Sequence, residues 1–199
     1  MLKRTLILLI ALLLSACATI PADDIVPNKK LTWSERQKEL TTIKKWQVTG
    51  AIGLTTPKKA YSASINWQQA GLAYNMRLFG PLGAGQIKLI GTPNKVTMST
   101  ADNKHYSSSN AQTLLLQRTG WHLPVENLIY WIKGIPVPGV DASKTFDAFN
   151  RLTDMKQDGW HIQFKRYTSS NGVNLPNKIF LSNRSFKVKL VIKRWRVLP

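Results

Sequence analysis

From Trp46 onward, apolar and polar residues alternate in short runs, and turn residues such as Thr56-Pro57-Lys58 separate one run from the next. An alternation with a period of two predicts strands that bury one face, and short connections predict antiparallel neighbours. The apolar parity shifts by one between Ile192 and Trp195, which predicts a β-bulge in the last strand. The runs predict strands over 46–54, 61–67, 72–78, 87–89 and 96–98, around Tyr106, and over 149–155, 160–166, 179–181 and 186–197.

The period changes in the middle of the chain, where the pattern is typical of two short helices. Ser109-Asn110 can cap a helix over 111–119, and Gly120 can end it. Pro124 can open a second helix that ends at Gly134. These two helices interrupt the series of strands and divide it into two groups.

A third helix and a loop complete the predicted elements. Residues 33–44 can form an N-terminal helix that starts near Ser34-Glu35-Arg36, and 135–143 has the Pro/Gly composition of a loop. About ten antiparallel strands with two or three helices predict an α+β or barrel-like fold. The broad apolar face of the strands either closes on itself and is filled, is covered by the helices, or encloses a space for an apolar ligand.

The N-terminus has the pattern of a secretory signal peptide. Lys3 and Arg4 precede an unbroken apolar run over 6–14, which is shorter than the roughly 20 residues of a transmembrane helix. Leu14-Ser15-Ala16-Cys17 resembles the bacterial lipobox, whose cysteine becomes the acylated first residue of the mature protein. Cys17 is the only cysteine of the chain, and we therefore predict it as the lipid attachment site.

The domain organisation follows from this reading of the N-terminus. Residues 1–16 are the predicted signal peptide, 17–31 a lipidated tether and 32–199 a single folded domain. Ala18 stands where an aspartate retains many Gram-negative lipoproteins in the inner membrane. Alanine instead of aspartate at this position resembles the pattern of outer-membrane lipoproteins. We therefore predict that the protein is anchored in the outer membrane, on the periplasmic face.

The chain is strongly basic, with 28 lysines and arginines against 10 acidic residues and a net charge of +18. Loss of Lys3 and Arg4 with the signal peptide leaves about +16. Nucleic acid is excluded as a partner because the chain has no binding motif and carries an export signal. A membrane surface, lipopolysaccharide or an acidic protein fits better, and solvated strand faces are the simpler alternative for any single lysine.

No catalytic, metal-binding or nucleotide-binding motif is evident. His105, His122 and His161 have no partners at metal-ligand spacing, and no paired carboxylates or nucleophile elbow occur. Gly80 and Gly85 have the spacing of a phosphate-binding loop, but the lysine and hydroxyl residues that such a loop needs are missing. We therefore predict a protein that is not an enzyme and uses no cofactor or metal.

Several segments together resemble the LolB family of outer-membrane lipoprotein receptors. After the lipobox, they are WQVTGAIGL, YSASINWQQ, RLFGPLGAGQIKL, NLIYWIKGIPVPG and VKLVIKRWRVL. The resemblance implies an incomplete antiparallel β-barrel of about ten to eleven strands, with helices forming a lid over a hydrophobic cavity. It also implies that the protein accepts lipoproteins from a LolA-like periplasmic carrier and inserts their acyl chains into outer-membrane lipids. The protein is expected to act as a monomer.

The resemblance also implies a membrane-insertion loop. In the family an apolar residue in an N-P-L-G-like turn is important for insertion, and the matching residues here are Pro81, Leu82 and Gly83. Leu82 takes the inserting position, and Phe79 adds a second apolar side chain to the same turn. An apolar turn of this kind enters the acyl boundary of a membrane at little desolvation cost.

The acyl-chain cavity is expected on the alternating apolar face, because acyl chains need an apolar surface rather than hydrogen-bonding groups. Methionine and aromatic side chains suit chains of variable shape. The expected lining residues are Val48, Ile52, Ile65, Trp67, Met76, Leu78, Ile87, Leu89, Val96 and Met98, with Leu115, Ile129 and Trp131 of the helices closing the space. The alternative is that the same residues form an ordinary filled core.

Three other functions remain open at this point. An envelope lipoprotein with a filled core could bind lipopolysaccharide or another anionic partner without transferring lipid. A carrier or chaperone could shield lipid without inserting it. An envelope enzyme with unrecognised catalytic groups is the third.

Overall fold

The computed structural model describes residues 30–81 and 85–199, and they form an antiparallel sheet of eleven strands with three helices. Cys17, Leu82 and Gly83, for which the sequence predicts sites, lie outside these ranges, as do the signal peptide and nearly all of the tether. No helix within the described ranges is long and apolar enough to cross a bilayer.

The strands are longer than the sequence pattern predicts in several places. The helices are α1 Trp33–Thr42, α2 Ala111–Thr119 and α3 Val125–Trp131. The strands are β1 Lys45–Thr55, β2 Ala60–Ala70, β3 Ala73–Phe79, β4 Ile87–Thr92, β5 Lys95–Thr100, β6 His105–Ser108, β7 Ala142–Phe146, β8 Leu152–Gln157, β9 Trp160–Ser170, β10 Val173–Ser182 and β11 Lys187–Leu198.

The sheet has one unusual neighbour pair, in which the first strand lies beside the last. Its order is β6-β5-β4-β3-β2-β1-β11-β10-β9-β8-β7, so each half of the chain forms a meander and the β1–β11 pair joins the two. β6 and β7 are the edges, and α2 and α3 lie in the connection between them. This arrangement confirms the predicted incomplete barrel.

The helix ends agree with the predicted caps at α2 and differ at the other two helices. Asn110 caps α2 by accepting from the Thr113 N–H, and Gly120 follows in the left-handed region. α1 begins at Trp33, as the predicted range does, and its cap is Thr32, which forms a reciprocal capping box with Glu35. α1 ends at Thr42, two residues before the predicted end, and α3 ends at Trp131 instead of Gly134.

The sequence prediction is wrong around residues 135–155. β8 begins at Leu152, not 149, because the Asp147 carboxylate accepts hydrogen bonds from the backbone of Phe149 and Arg151 and closes a turn there. β7 begins inside the segment predicted as a loop. Its side chains are mostly exposed, so the strand has no apolar alternation from which it could be recognised.

The predicted bulge is present where β1 pairs with β11. Thr49 lies opposite Arg194 and Gly50 opposite Ile192, which leaves Lys193 as the extra residue. The backbone of β11 therefore approaches Gly50 so closely that a Cβ there would lie 2.1 Å from the Val191 carbonyl oxygen. Gly50 is required by this contact with the neighbouring strand.

Gly50→Ala is expected to lower the free energy of unfolding by about 2 kcal/mol or more, because the new methyl group collides with backbone that cannot move without breaking the bulge. Gly53→Ala, on the same strand, is the control, since its nearest atom would be 3.9 Å away. Urea unfolding followed by circular dichroism measures both. Equal stabilities of the two variants would contradict this account of the bulge.

Candidate functional site

The inner face of the sheet carries a continuous apolar surface. The strand register places Val48, Trp67, Met76, Leu89 and Met98 side by side across five neighbouring strands. A second row lies next to it, with Ile65 opposite Leu78 and Leu78 opposite Ile87. Alternate residues of β1 to β5 thus form one surface under the helices.

The structure brings all the expected lining residues together in one hydrophobic cluster. Every one of them is buried except Ile87, which is partly buried and packs against the cluster. Leu115, Ile129 and Trp131 reach the same cluster from α2 and α3. These side chains belong to one packed cluster, and their role in holding an acyl chain stays a prediction.

Aromatic rings fill one end of the inner face. Trp46 lies between Trp67 and Trp195, with ring centroids 5.0 Å and 5.4 Å away. The Trp67 Nε1–H donates to the Gln69 side chain, and the Trp195 Nε1–H donates to the Pro176 carbonyl, both at 2.8 Å. Ring contacts and indole hydrogen bonds therefore fix these side chains at this end of the sheet, which is called here the tryptophan end.

The opposite end of the sheet is open and is called here the mouth. A cavity of about 670 Å³ lies there between the end of α2 and the turns β1–β2, β8–β9 and β10–β11. Its apolar residues include Trp160, Phe186 and Leu116, and the Leu116 side chain is 45% exposed. This volume is within the usual range of ligand sites.

The residues of the mouth were not among those expected to line the cavity. Trp160 and Phe186 alternate with polar neighbours in the second half of the chain, and this alternation is the signal that could have found them. The second half also supplies Ile162, Leu181 and Leu190 to the core. The strand residues of the expected set all come from the first half of the chain, so they do not include these residues.

The connection predicted as an insertion loop joins β3 to β4. β3 ends at Phe79, opposite Ser64, and β4 begins at Ile87, so both strands meet this connection at the same end of the sheet as the β1–β2 turn. Phe79 is half-buried on the outer parity of β3, and Pro81 is exposed.

Gln157 fixes the segment that follows α3 to the sheet. Its side-chain oxygen accepts from the Trp131 indole N–H at 2.8 Å and from the Val137 N–H at 2.9 Å. Its amide nitrogen donates to the carbonyls of Val137 and Val140. We call α2, α3 and residues 132–141 together the lid. The buried Gln157 side chain on β8 therefore makes four hydrogen bonds to the lid.

Two carboxylates hold the lid helices at their ends. Glu126, in the first turn of α3, accepts a hydrogen bond of 2.8 Å from the backbone N–H of Ala111 at the start of α2. Asp158, in the β8–β9 turn, accepts one of 2.7 Å from the Asn127 amide. Directional polar contacts thus position the lid over an inner face that is itself apolar.

The outer face of the sheet is basic. In the strands that the structure describes, Asp154 is the only acidic residue, whereas most strands carry lysine or arginine. Lys178 lies directly opposite Arg166, and the ammonium groups of Lys178 and Lys189 lie 5.6 Å and 5.9 Å from the Phe180 ring. Like charges opposite each other in a sheet are destabilising unless something compensates them.

The histidines lie apart from one another. His161 contacts the Asp154 carboxylate, His122 contacts Gln112, and His105 contacts Ser99. Among residues 30–81 and 85–199, no group of three or more histidine, cysteine or acidic side chains could hold a metal ion.

In its fold the chain is similar to proteins of the LolA superfamily. A LolA superfamily protein of Nitrosomonas europaea superposes with a TM-score of 0.55 over 85% of this chain and 96% of that chain, at 11% identity. A lipoprotein-sorting protein domain of Vibrio parahaemolyticus gives a TM-score of 0.51 at 8% identity, over 82% and 91% of the two chains. These likenesses define the class as open antiparallel sheets with lid helices.

The sequence comparisons identify the family within this class. Residues 44–195 match the model of the family described as outer membrane lipoprotein LolB. The outer-membrane lipoprotein LolB of Coxiella burnetii strain RSA 493 is 38% identical over 96% of this chain and 91% of the relative. That of Pseudomonas savastanoi pv. phaseolicola is 34% identical over 98% and 96%. The chain belongs to the LolB family, which places it among outer-membrane lipoproteins.

Gln157→Met is expected to lower the free energy of unfolding by about 3 kcal/mol, because the Trp131 indole and three backbone groups lose their buried partner. It is also expected to speed hydrogen exchange in residues 125–141. Gln47→Met, which removes one weak contact of 3.5 Å to Asn66, should change stability by less than about 0.5 kcal/mol. Unchanged exchange in the lid of Gln157→Met would show that Gln157 does not hold it.

Proposed function

We propose that the protein accepts lipoproteins from a LolA-like periplasmic carrier, holds their acyl chains against the inner face, and releases them into the outer membrane. The observation that carries the proposal is the apolar surface formed by alternate residues of β1 to β5, which a lid covers and which has the cavity of the mouth at one end of the sheet. An acyl chain needs a large apolar surface, and burial contributes about 0.8 kcal/mol for each CH₂ group. The family and the fold support the same assignment.

The lid accounts for how a closed core admits a chain. Its polar contacts to Gln157 and Asp158 can exchange for contacts with water when the lid moves. The apolar residues beneath it would exchange contacts with one another for contacts with acyl carbons. Met76 and Met98 in the central row have the flexibility to pack against chains of different shape.

Transfer without a nucleotide requires a decrease in free energy at each step. The protein must bind the acyl chains more tightly than the carrier does, and the membrane must bind them more favourably than the protein. If purified carrier removes a lipoprotein from this protein, rather than the reverse, the proposal is wrong. No enzymatic activity is part of the proposed function.

Two features that lie mostly outside the described residues also belong to the proposal. Acylation of Cys17 would anchor the protein to the periplasmic face of the outer membrane, with residues 17–31 as a tether. The connection that contains Pro81, Leu82 and Gly83 would insert into the membrane, with Leu82 entering the acyl region. β3 ends and β4 begins at the same end of the sheet as the mouth, which is consistent with this role.

A second candidate function is binding of lipopolysaccharide or another anionic envelope partner without lipid transfer. The basic outer face favours it, since Lys178 and Lys189 lie against the Phe180 ring and Arg166 pairs with Lys178 in the neighbouring strand. Phosphate groups would relieve the repulsion between these cations. This surface lies on the opposite side of the sheet from the inner face.

Leu82→Glu is expected to preserve acceptance of a lipoprotein from the carrier and to lower its insertion into liposomes by about tenfold or more, because a carboxylate is costly in the acyl region. Complex formation measures acceptance, and co-sedimentation of the lipoprotein with liposomes measures insertion. Leu72→Glu is the matched control. Leu72 is also in a turn and is 56% exposed, but this turn is at the tryptophan end.

Insertion by Leu82→Glu at the wild-type level would contradict the insertion-loop proposal. Equal losses in Leu82→Glu and Leu72→Glu would contradict it as well, since a general effect of added negative charge would then suffice. Failure of the wild-type protein to accept lipoprotein at all would instead contradict the acceptor function.

Lys178→Glu combined with Lys189→Glu is expected to weaken binding to lipopolysaccharide if the second candidate function is correct, because the charges around Phe180 are reversed. Lys95→Glu combined with Lys144→Glu, near the sheet edges, gives the same change in net charge and serves as control. Sedimentation with lipopolysaccharide micelles at low and high salt provides the measurement. Equal binding by both double variants would reject a specific site on this face.

A further inference from the structure

A small cavity of about 280 Å³ lies at the tryptophan end, away from the mouth. The end of α1, the start of β1, the β2–β3 turn and the end of α3 surround it. Its lining residues are Ile43, Lys44, Trp46, Gln69, Gly71, Leu72, Ile129, Tyr130 and Lys133. Neither the family resemblance nor the proposed transfer function gives this cavity a role.

Lys133 is the unusual residue of this cavity, because its side chain is buried without a counterion. The residue is 4% exposed, and its ammonium group donates one hydrogen bond of 3.1 Å to the Ile43 carbonyl. In the described part of the chain, no carboxylate lies within ion-pair distance of it. An ammonium group has three donors, and buried lysines are almost always paired.

A second lysine increases the positive charge in the same cavity. Lys44 is exposed to solvent and also lines it, and no aspartate or glutamate does. Burial, and secondarily the charge of Lys44, lowers the pKa of Lys133 to about 8. Lys133 and Lys44 both line this small space, and no carboxylate of residues 30–81 and 85–199 lines it, so the described residues leave its positive charge uncompensated.

A purely structural role explains only part of this arrangement. A lysine that ties the end of α1 to the end of α3 would need its hydrogen bond to Ile43, but neither Lys44 nor an open cavity beside the ammonium group. The volume is too small for an acyl chain, since drug-sized ligand sites begin at about 300 Å³. It suits a compact oxyanion.

We propose that this cavity binds a phosphate group, either free phosphate or the phosphate of a lipid headgroup, held by the ammonium groups of Lys133 and Lys44. Lysine binds phosphate as a point charge, and no arginine fork lines the cavity to favour a planar carboxylate. The buried side chains of Trp46 and Ile129 form an apolar wall that excludes water from one side of the ion and strengthens its attraction to Lys133. The site does not depend on the lipoprotein-acceptor function.

The test titrates the purified protein with inorganic phosphate, sn-glycerol 3-phosphate and short-chain dihexanoyl phosphatidic acid, with chloride at matched ionic strength as reference. NMR of the Lys133 side chain follows binding directly. We expect saturable shifts of the Lys133 resonances and an increase in its pKa with at least one phosphate compound and not with chloride. Preference for the phosphatidic acid over inorganic phosphate would identify a lipid headgroup, and equal affinities would identify free phosphate.

Three variants test the residues of the site. Phosphate is expected to raise the melting temperature of the wild type, and Lys133→Met is expected to abolish this rise. Lys44→Gln is expected to weaken phosphate binding about threefold or more. Lys38→Gln, an exposed lysine on α1 outside the cavity, should bind as the wild type does. Binding should also weaken as the pH rises and Lys133 loses its proton; Lys44 and Tyr130 are the other titratable groups that line the cavity.

The proposal fails if phosphate leaves the Lys133 resonances of the wild type unchanged, or if chloride shifts them equally. It also fails if Lys44→Gln and Lys38→Gln bind phosphate alike and the Lys133 pKa does not respond to phosphate. Because the NMR measurement uses the wild-type protein, it decides the matter even where Lys133→Met alters folding. Loss of lipoprotein transfer in any variant has no bearing on this result.

Discussion

The pairing of the first strand with the last is the interaction on which the rest of the structure depends. Lys45 at the start of β1 lies opposite Leu198 at the end of β11, and the two strands pair along nearly their whole length. This pair joins two meanders into one sheet and moves the unpaired edges to β6 and β7. The connection between those edges must then cross the open side of the barrel, and this is why α2 and α3 form a lid.

Much of the fold follows from alternation and capping residues in the sequence. Trp46, Val48 and Ile52 are buried, as their spacing predicts. Asn110 caps the start of α2 and Gly120 follows its end, as expected. β7 could not be predicted, because an exposed edge strand needs no apolar period. The start of β8 depends on the Asp147 carboxylate and its hydrogen bonds to the backbone, which is a local three-dimensional contact with no periodic signal.

The apolar inner face follows in part from the sequence, and the other contacts around it depend on the topology of the sheet. The first-half residues form one surface because strand register aligns them, and register follows from short turns between neighbouring strands. Trp160 and Phe186 reach the mouth only because β9 and β11 begin at the same end as the β1–β2 turn, a consequence of topology. The four hydrogen bonds of Gln157 to the lid likewise join segments far apart in sequence.

An incomplete barrel keeps two strand edges to which another copy of the chain could add strands, which is how many β-proteins begin to form fibrils. The two edges here are short, with four residues in β6 and five in β7. β7 also carries Lys144 among mostly exposed side chains. Short edges and positive charge oppose edge-to-edge growth. The strand edges that border the opening are thereby prevented from acting as templates for aggregation, while the opening still gives access to the apolar interior.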